Sequence, residues 1–381
     1  MDSPRLQAMT IVLHAYPMVT YTGEPHRRPW CLHHALLIAL AHGASPLLPV
    51  LLADAAAFID DTSERAAELQ RLAEAALALA ERGPPELRCR TQVRIALIVA
   101  PWVWPLERVS ALFLGAGELA ERLGETTSAA QALAMSLMVD IDLATHIGPL
   151  EARALAALER TGRFPALHDL AGPVALLLQG LRGTVDLEAH VDGRLDPPLP
   201  RHDVRNAESH RCGWRAWAAL LCGQPQKALR LARQGLPFRI VSMYALTPHF
   251  LAHALALADA IRLARRDAAP IDELDALRAE LAAPRDWFRL QAAAVPSSFG
   301  HLHTLLEAAI AWAEGREAEA MSGFDTAIAT AARHGRRLHH AFACGLAAEF
   351  CDDLGLSRAA DAYHADAVDA WSAVGADAQA A

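Results

Sequence analysis

The sequence predicts an all-α chain of stacked helical hairpins, a right-handed superhelix of the α-solenoid kind. Three observations carry this. Apolar residues recur at spacings of three and four through segments made of Ala, Leu, Glu and Arg, all strong helix formers. No stretch sustains the period-2 alternation of β-branched residues that a half-buried strand requires. Gly and Pro interrupt the helical pattern about every 15 to 25 residues, at Gly43, Gly83-Pro84-Pro85, Pro105, Gly124, Gly148-Pro149, Gly162, Gly223, Gly315, Gly335, Gly355 and Gly375. That is the rhythm of helices joined by tight turns.

Composition bounds the class. The 381 residues are 53% apolar and 21% charged, enough for a sizeable core and too apolar for disorder. Thirty-five basic against 44 acidic side chains leave a net charge of −9. That balance argues against nucleic acid as a partner, because neutralising phosphates needs clustered Lys and Arg. Lys227 is the only lysine, a skew that reads as coding bias and leaves one Schiff-base candidate. Cys31, Cys89, Cys212, Cys222, Cys344 and Cys351 form no CxxC pair, which favours reduced thiols in a cytoplasmic protein.

Taken in order, the N-terminal stretch 1–19 has an acid at position 2 and an apolar run broken by His14 and Pro17, unlike a signal peptide. Residues 64–82 read as an amphipathic helix. The apolar run Ile95–Leu106 is too short to span a bilayer and is interrupted by Pro101 and Pro105, so no membrane role is expected. Residues 182–206 are polar and Pro-rich, with no helical face. They are expected to mark the boundary between an N-terminal lobe, 1–181, and a C-terminal lobe, 207–381, either as a long surface connection or as a flap over one of them. Residues 271–283 read as another amphipathic helix.

Segments 313–335 and 352–375 align at a shift of 40 residues: Gly315 onto Gly355, Ala320 onto Ala360, Ile328 onto Val368, Gly335 onto Gly375. The same offsets lead from Gly124 to Ala129 and Leu137, and from Gly223 to Ala228 and Leu236. The glycine would end one helix, the alanine would let the next approach closely, and the aliphatic would bury against the following hairpin.

Residues 295–376 carry a further pattern. It runs through Phe299 and His301, then Ala320, Phe324, Asp325, Ala327, Ile328 and Ala331. It continues through Ala360, Tyr363 and Ala367, and closes on Trp371, Gly375 and Ala376. This resembles the TPR-like helical region of very large bacterial signalling proteins, in which a predicted ATPase sits between a protein kinase and a histidine kinase. A second stretch of similarity covers His42-Gly43 and residues 104–125. The chain has no Walker A sequence, kinase glycine loop or histidine-kinase box, and it carries Ala309 where the family's Leu-rich helix has an acid. The resemblance therefore implies a TPR-like α-solenoid and transfers no activity.

Chemistry-bearing residues are few. His249 and His253 lie four apart, as do His303 and Glu307, with His301 beside them. Residues four apart share a helix face, so His249, His253, His303 and Glu307 could hold a divalent metal if their helices face each other. The structural alternative is histidines that fill helix interfaces. The adjacent pairs His33-His34 and His339-His340 point to different faces and cannot chelate. Arg88, Arg90 and Arg94, with Arg27 and Arg28, could bind an anion or simply pair with acids. Asp60, Asp61 and Glu64 read as a DDxxE diphosphate–Mg²⁺ motif, and Asp353, Ser357 and Asp361 loosely as its companion. Their separation does not suit the terpene-synthase layout, and the repeat accounts for Asp352-Asp353 as a turn. Trp102 and Trp104 sit in a proline-interrupted segment and could line a groove or fill a core; Trp312 and Trp371 occupy repeat positions and read as core.

The preferred expectation is a non-catalytic binding module. A concave face lined by Trp102, Trp104, His249, His253 and His301 would hold a protein, peptide or small ligand, with no cofactor required. The alternative is a stand-alone enzyme, metal-dependent through His249, His253, His303 and Glu307, with a His-lined pocket in the C-terminal lobe.

Overall fold

The computed structural model describes residues 4, 27–42, 46–56, 65–197, 204–238 and 243–380. The stretch 5–26 and the Asp60–Glu64 motif lie outside the described residues, as does Gly43. Regular structure among the described residues is helical throughout, without a strand. The first half comprises α1 (Arg27–His42), α2 (Leu48–Ala55), α3 (Ala66–Ala80), α4 (Pro85–Ile98), the short α5 (Ala100–Val103), α6 (Leu106–Leu123), α7 (Thr126–Leu143), α8 (Ile147–Thr161) and α9 (Pro165–Leu181). After the short α10 (Leu187–Val191) come α11 (Val204–Leu221), α12 (Pro225–Gly235), α13 (Leu246–Arg266), α14 (Ile271–Ala294), α15 (Pro296–Ala313), α16 (Glu317–Arg333), α17 (Arg337–Asp353), α18 (Ser357–Val374) and the short α19 (Asp377–Ala380). No described helix is long and apolar enough to cross a membrane.

Local chemistry explains most boundaries. The helix expected over 64–82 is α3. Pro101 and Pro105 divide the apolar run as expected, and Pro105 stands immediately before α6, where a missing N–H costs nothing. Gly315 and Gly355 both follow a helix at φ of 72° and 70°, a region that side chains with a Cβ avoid. Two elements differ from the sequence reading. The helix expected over 271–283 runs on through Pro284 to Ala294. Burial of Phe288 and part-burial of Trp287 against the core offset the backbone hydrogen bond that Pro284 removes. Within 182–206, Leu187–Val191 form α10, started by Asp186, whose carboxylate accepts from the Glu188 N–H at 2.9 Å. Five residues are too few to display a periodicity.

Each helix packs on its chain neighbour. A second series joins every other one: α7 to α9, α9 to α11, α11 to α13, α13 to α15 and α15 to α17. α17 then touches α7, so the series returns to its first member. One buried apolar cluster extends from Ala53 to Ala376. Of the alanines at the aligned offsets, Ala228, Ala320 and Ala360 are buried and Ala129 is half-buried. Of the aliphatics, Leu137 is buried and Ile328 half-buried, whereas Val368 is 44% exposed, since no described hairpin follows α18 to cover it.

Candidate functional site

The residues that the sequence marks for a concave face are inside. Trp102 stacks on Phe299 at 6.1 Å between ring centres and meets Trp287 edge-on at 5.7 Å. Trp104 is buried, with the Arg108 guanidinium 3.6 Å from its ring centre. His249 sits against Gly213 and Gly235, and its Nε2 lies 3.0 Å from the Ala232 carbonyl. His253 Nε2 lies 2.8 Å from Glu280 Oε1. His301 Nε2 lies 2.9 Å from His339 Nδ1. All five are buried.

The proposed metal set is not assembled. His249 reaches α12 and His253 reaches α14, so two residues on one helix face are claimed by different neighbours. His303 Nε2 is 3.7 Å from Glu307, whose carboxylate is already held by Arg285 at 2.7 and 2.6 Å. Among the described residues no three His, Cys, Asp or Glu side chains converge as metal ligands. The arginines expected either to bind an anion or to pair do pair: Arg88 with Glu81 at 2.9 Å, Arg90 with Glu125 at 2.8 Å, Arg94 with Asp54 at 3.5 Å. The side chains of Arg27 and Arg28 lie outside the described residues.

Where α17 meets α7, a buried polar chain has formed that the sequence does not reveal. Tyr244, just before α13, donates its hydroxyl to Asp142, near the end of α7. His339 Nε2 stands 3.5 Å from the other Asp142 oxygen and hands on to His301 through Nδ1. Arg336 pairs with Glu107 at 2.9 Å and donates to the Ser297 carbonyl at 3.2 Å. Burial pushes the Tyr244 hydroxyl well above the usual tyrosine range, and Asp142 adds to it. Burial likewise drives His301 well below the ordinary histidine value and lowers His339 against the pull of Asp142, so both rings are neutral at pH 7. The arrangement can pass a hydrogen-bond pattern, but Tyr244, Asp142, His339, His301 and Arg336 are enclosed by protein, and only Glu107 reaches the surface. It joins the two ends of the helix series.

Two openings lie at helix surfaces where the sequence pointed only in part. A cleft of about 540 Å³ between α14 and α15 is lined by Arg278, Arg285, Arg289, His303 and Glu307. Its charges compensate internally: besides Arg285–Glu307, Arg289 meets Asp286 at 3.3 Å and Arg278 approaches Glu314 at 3.8 Å.

The other is a pocket of about 310 Å³ on the layer formed by α11, α13, α15 and α17. The four helices contribute Leu220; Leu255, Asp259 and Arg262; Trp312; and Phe342, Leu346 and Glu349, and the start of α12 adds Gln226, whose amide donates to Asp259 at 3.3 Å. The floor is apolar because these positions continue the core-facing stripe of each helix. The rim is charged. Arg262 lies 4.5 Å from the Trp312 ring centre, donates to Asp259 at 2.7 Å and reaches Asp353 at 3.4 Å. Trp312 donates its indole N–H to the same Asp353 oxygen at 2.9 Å. Glu349 makes no ion pair or hydrogen bond with a described residue. Its side chain is exposed, yet the surrounding protein and then the Asp259 charge raise its carboxyl pKa, against the pull of Arg262. Sequence reasoning placed Trp312 in the core and missed Asp259, Arg262 and Glu349. The available signal was the i,i+3 spacing of Asp259 and Arg262 on one helical segment; nothing in the sequence ties Glu349 to them before the helices pack.

No protein-family model matches the chain, and no curated protein is a significant match to its sequence.

Proposed function

We propose that this chain is a non-catalytic helical binding module of TPR-like hairpins, its every-other-helix series closed where α17 meets α7 instead of left open as in a right-handed superhelix, that holds a ligand in the pocket on the α11–α13–α15–α17 layer. The observation that carries the reading is the pocket itself: four successive members of the every-other-helix series supply an apolar floor under a charged rim. Six unpaired cysteines fit a cytoplasmic, bacterial setting of the sort that the signalling-protein resemblance implies. A His-lined enzyme pocket receives less support, since His249, His253 and His301 are paired within the packed interior.

At about 310 Å³ the pocket suits a small molecule or one side chain of a peptide or protein more than a folded surface. The test uses Gln226, an exposed residue at the mouth, which Gln226→Trp would obstruct without touching the core. A panel of monocyclic aromatic fragments is titrated calorimetrically into both proteins. At least one fragment should saturate the native chain and lose its binding to the variant. A panel in which no fragment tells the two apart overturns the reading.

A further inference from the structure

We propose that the pocket selects a cation: an amine or guanidinium group on an apolar body, seated on the Phe342–Leu346 floor with its charge between Glu349 and Asp259. This rests on the pocket being the ligand site and adds the chemistry of what enters it.

Three observations lead there. The first is charge balance at the rim. Asp259, Asp353 and Glu349 have one arginine among them, Arg262, which is already shared between Asp259 and Asp353, while His364, paired with Asp352, acts on Glu349 only through space. Glu349 therefore carries a carboxylate with no counter-charge in contact; the surrounding protein first, and then the Asp259 charge, raise its pKa. A bound cation would remove it.

The second is the lining as a whole. Its charged side chains are two carboxylates, Asp259 and Glu349, and one cation, Arg262, which Asp259 already engages at 2.7 Å. An anionic ligand would meet the uncompensated carboxylate as repulsion.

The third is the wall. Arg262 already lies over Trp312 between two carboxylates, so a guanidinium is at home on this surface. The floor of Leu220, Leu255, Phe342 and Leu346 offers nothing to a fully hydrated ion, which excludes a bare metal and calls for an apolar body behind the charge.

Three isosteric probes separate the possibilities: 2-phenylethylamine, 2-phenylethanol and 3-phenylpropanoate, titrated calorimetrically into the native chain, Glu349→Gln and Gln226→Trp. Because Glu349 holds no partner, Glu349→Gln should keep the native melting temperature. The amine should bind about tenfold tighter than the alcohol, the acid should not bind, and Glu349→Gln should abolish most of the amine's advantage while leaving the alcohol unchanged. Equal binding of amine and alcohol, or a preference untouched by Glu349→Gln, overturns the cation inference and leaves the pocket reading standing. Failure of all three probes to distinguish native chain from Gln226→Trp overturns both. A fourth probe, N-acetyl-Phe-Arg-amide, identifies the source: tighter binding than 2-phenylethylamine places the cation on a peptide, weaker binding places it on a free amine, and either supports the proposal.

Discussion

His190 is wholly buried in α10, and neither ring nitrogen has a hydrogen-bond partner. Burial, with the Arg215 charge nearby, lowers its pKa to about 4. The folded ring stays neutral down to that value, whereas the unfolded ring takes up a proton near pH 6.5. Between those limits the unfolded chain binds the extra proton, so stability present above pH 6.5 is lost as pH falls toward 4, by about 3 kcal/mol for this one residue. His190→Leu should therefore flatten the decline of urea-unfolding free energy over that window and leave stability at pH 7 equal or higher. An unchanged slope would show that His190 is solvated. His210 adds to the same decline, its pKa also lowered to about 4 by burial. Its Nε2 lies 2.9 Å from the Leu170 carbonyl and 3.1 Å from the Trp214 indole nitrogen, and one tautomer can serve only one of them. That the chain is His-rich is visible in its composition. Which histidines are enclosed is not, because a side chain's surroundings are set by residues far along the chain.

At the scale of the element, two helical glycines make opposite demands. A Cβ on Gly345, inside α17, would meet no atom within 4 Å, so Gly345→Ala should raise stability by about 0.5–1 kcal/mol through the unfolded chain's lost freedom. A Cβ on Gly323, in α16, would fall 2.8 Å from Ala308 Cβ and 3.2 Å from its Cα. There the α15–α16 pair touches backbone to side chain, and Gly323→Ala should destabilise by about 1–3 kcal/mol. Urea midpoints of the two variants should move in opposite directions; a shared direction would contradict the helix spacing described. Both glycines stand in Ala-rich helical sequence and look alike there. The turn glycines are different. Gly315 and Gly355 were legible at a shift of 40 residues, since their backbone requirement is local.

For the whole molecule, the contact between α17 and α7 decides the most. Asp142 collects Tyr244 and His339 at that seam, and Leu106 N–H, at the start of α6, separately donates to Ser298 Oγ in α15 at 3.3 Å. Asp142→Ala would leave a buried phenol and a buried imidazole without their acceptor, at a cost of about 2–3 kcal/mol. Limited proteolysis should then cut the variant faster than the native chain, with new sites near the ends of α7 and α17. A native digestion pattern would mean that the seam contributes little.

The same comparison explains why the candidate site was only partly legible. Trp102, Trp104, His249, His253 and His301 were expected on a concave face and are instead buried, because the face that each presents depends on helices that the sequence leaves unassigned. Asp259 and Arg262 lie one turn apart on α13 and Glu349 lies on α17, so they become one rim only after α13 and α17 pack beside α15.

The sequence by itself determined the helices, their proline-set restarts and their glycine turns. Those follow from side-chain periodicity and from backbone angles that Gly and Pro allow or forbid, all within a few residues. Tertiary structure alone decided which polar side chains were enclosed, that the helix series meets its own beginning, and where an opening was left. Each of these depends on contacts between residues as far apart as Leu106 and Ser298, and no local pattern encodes a contact of that range.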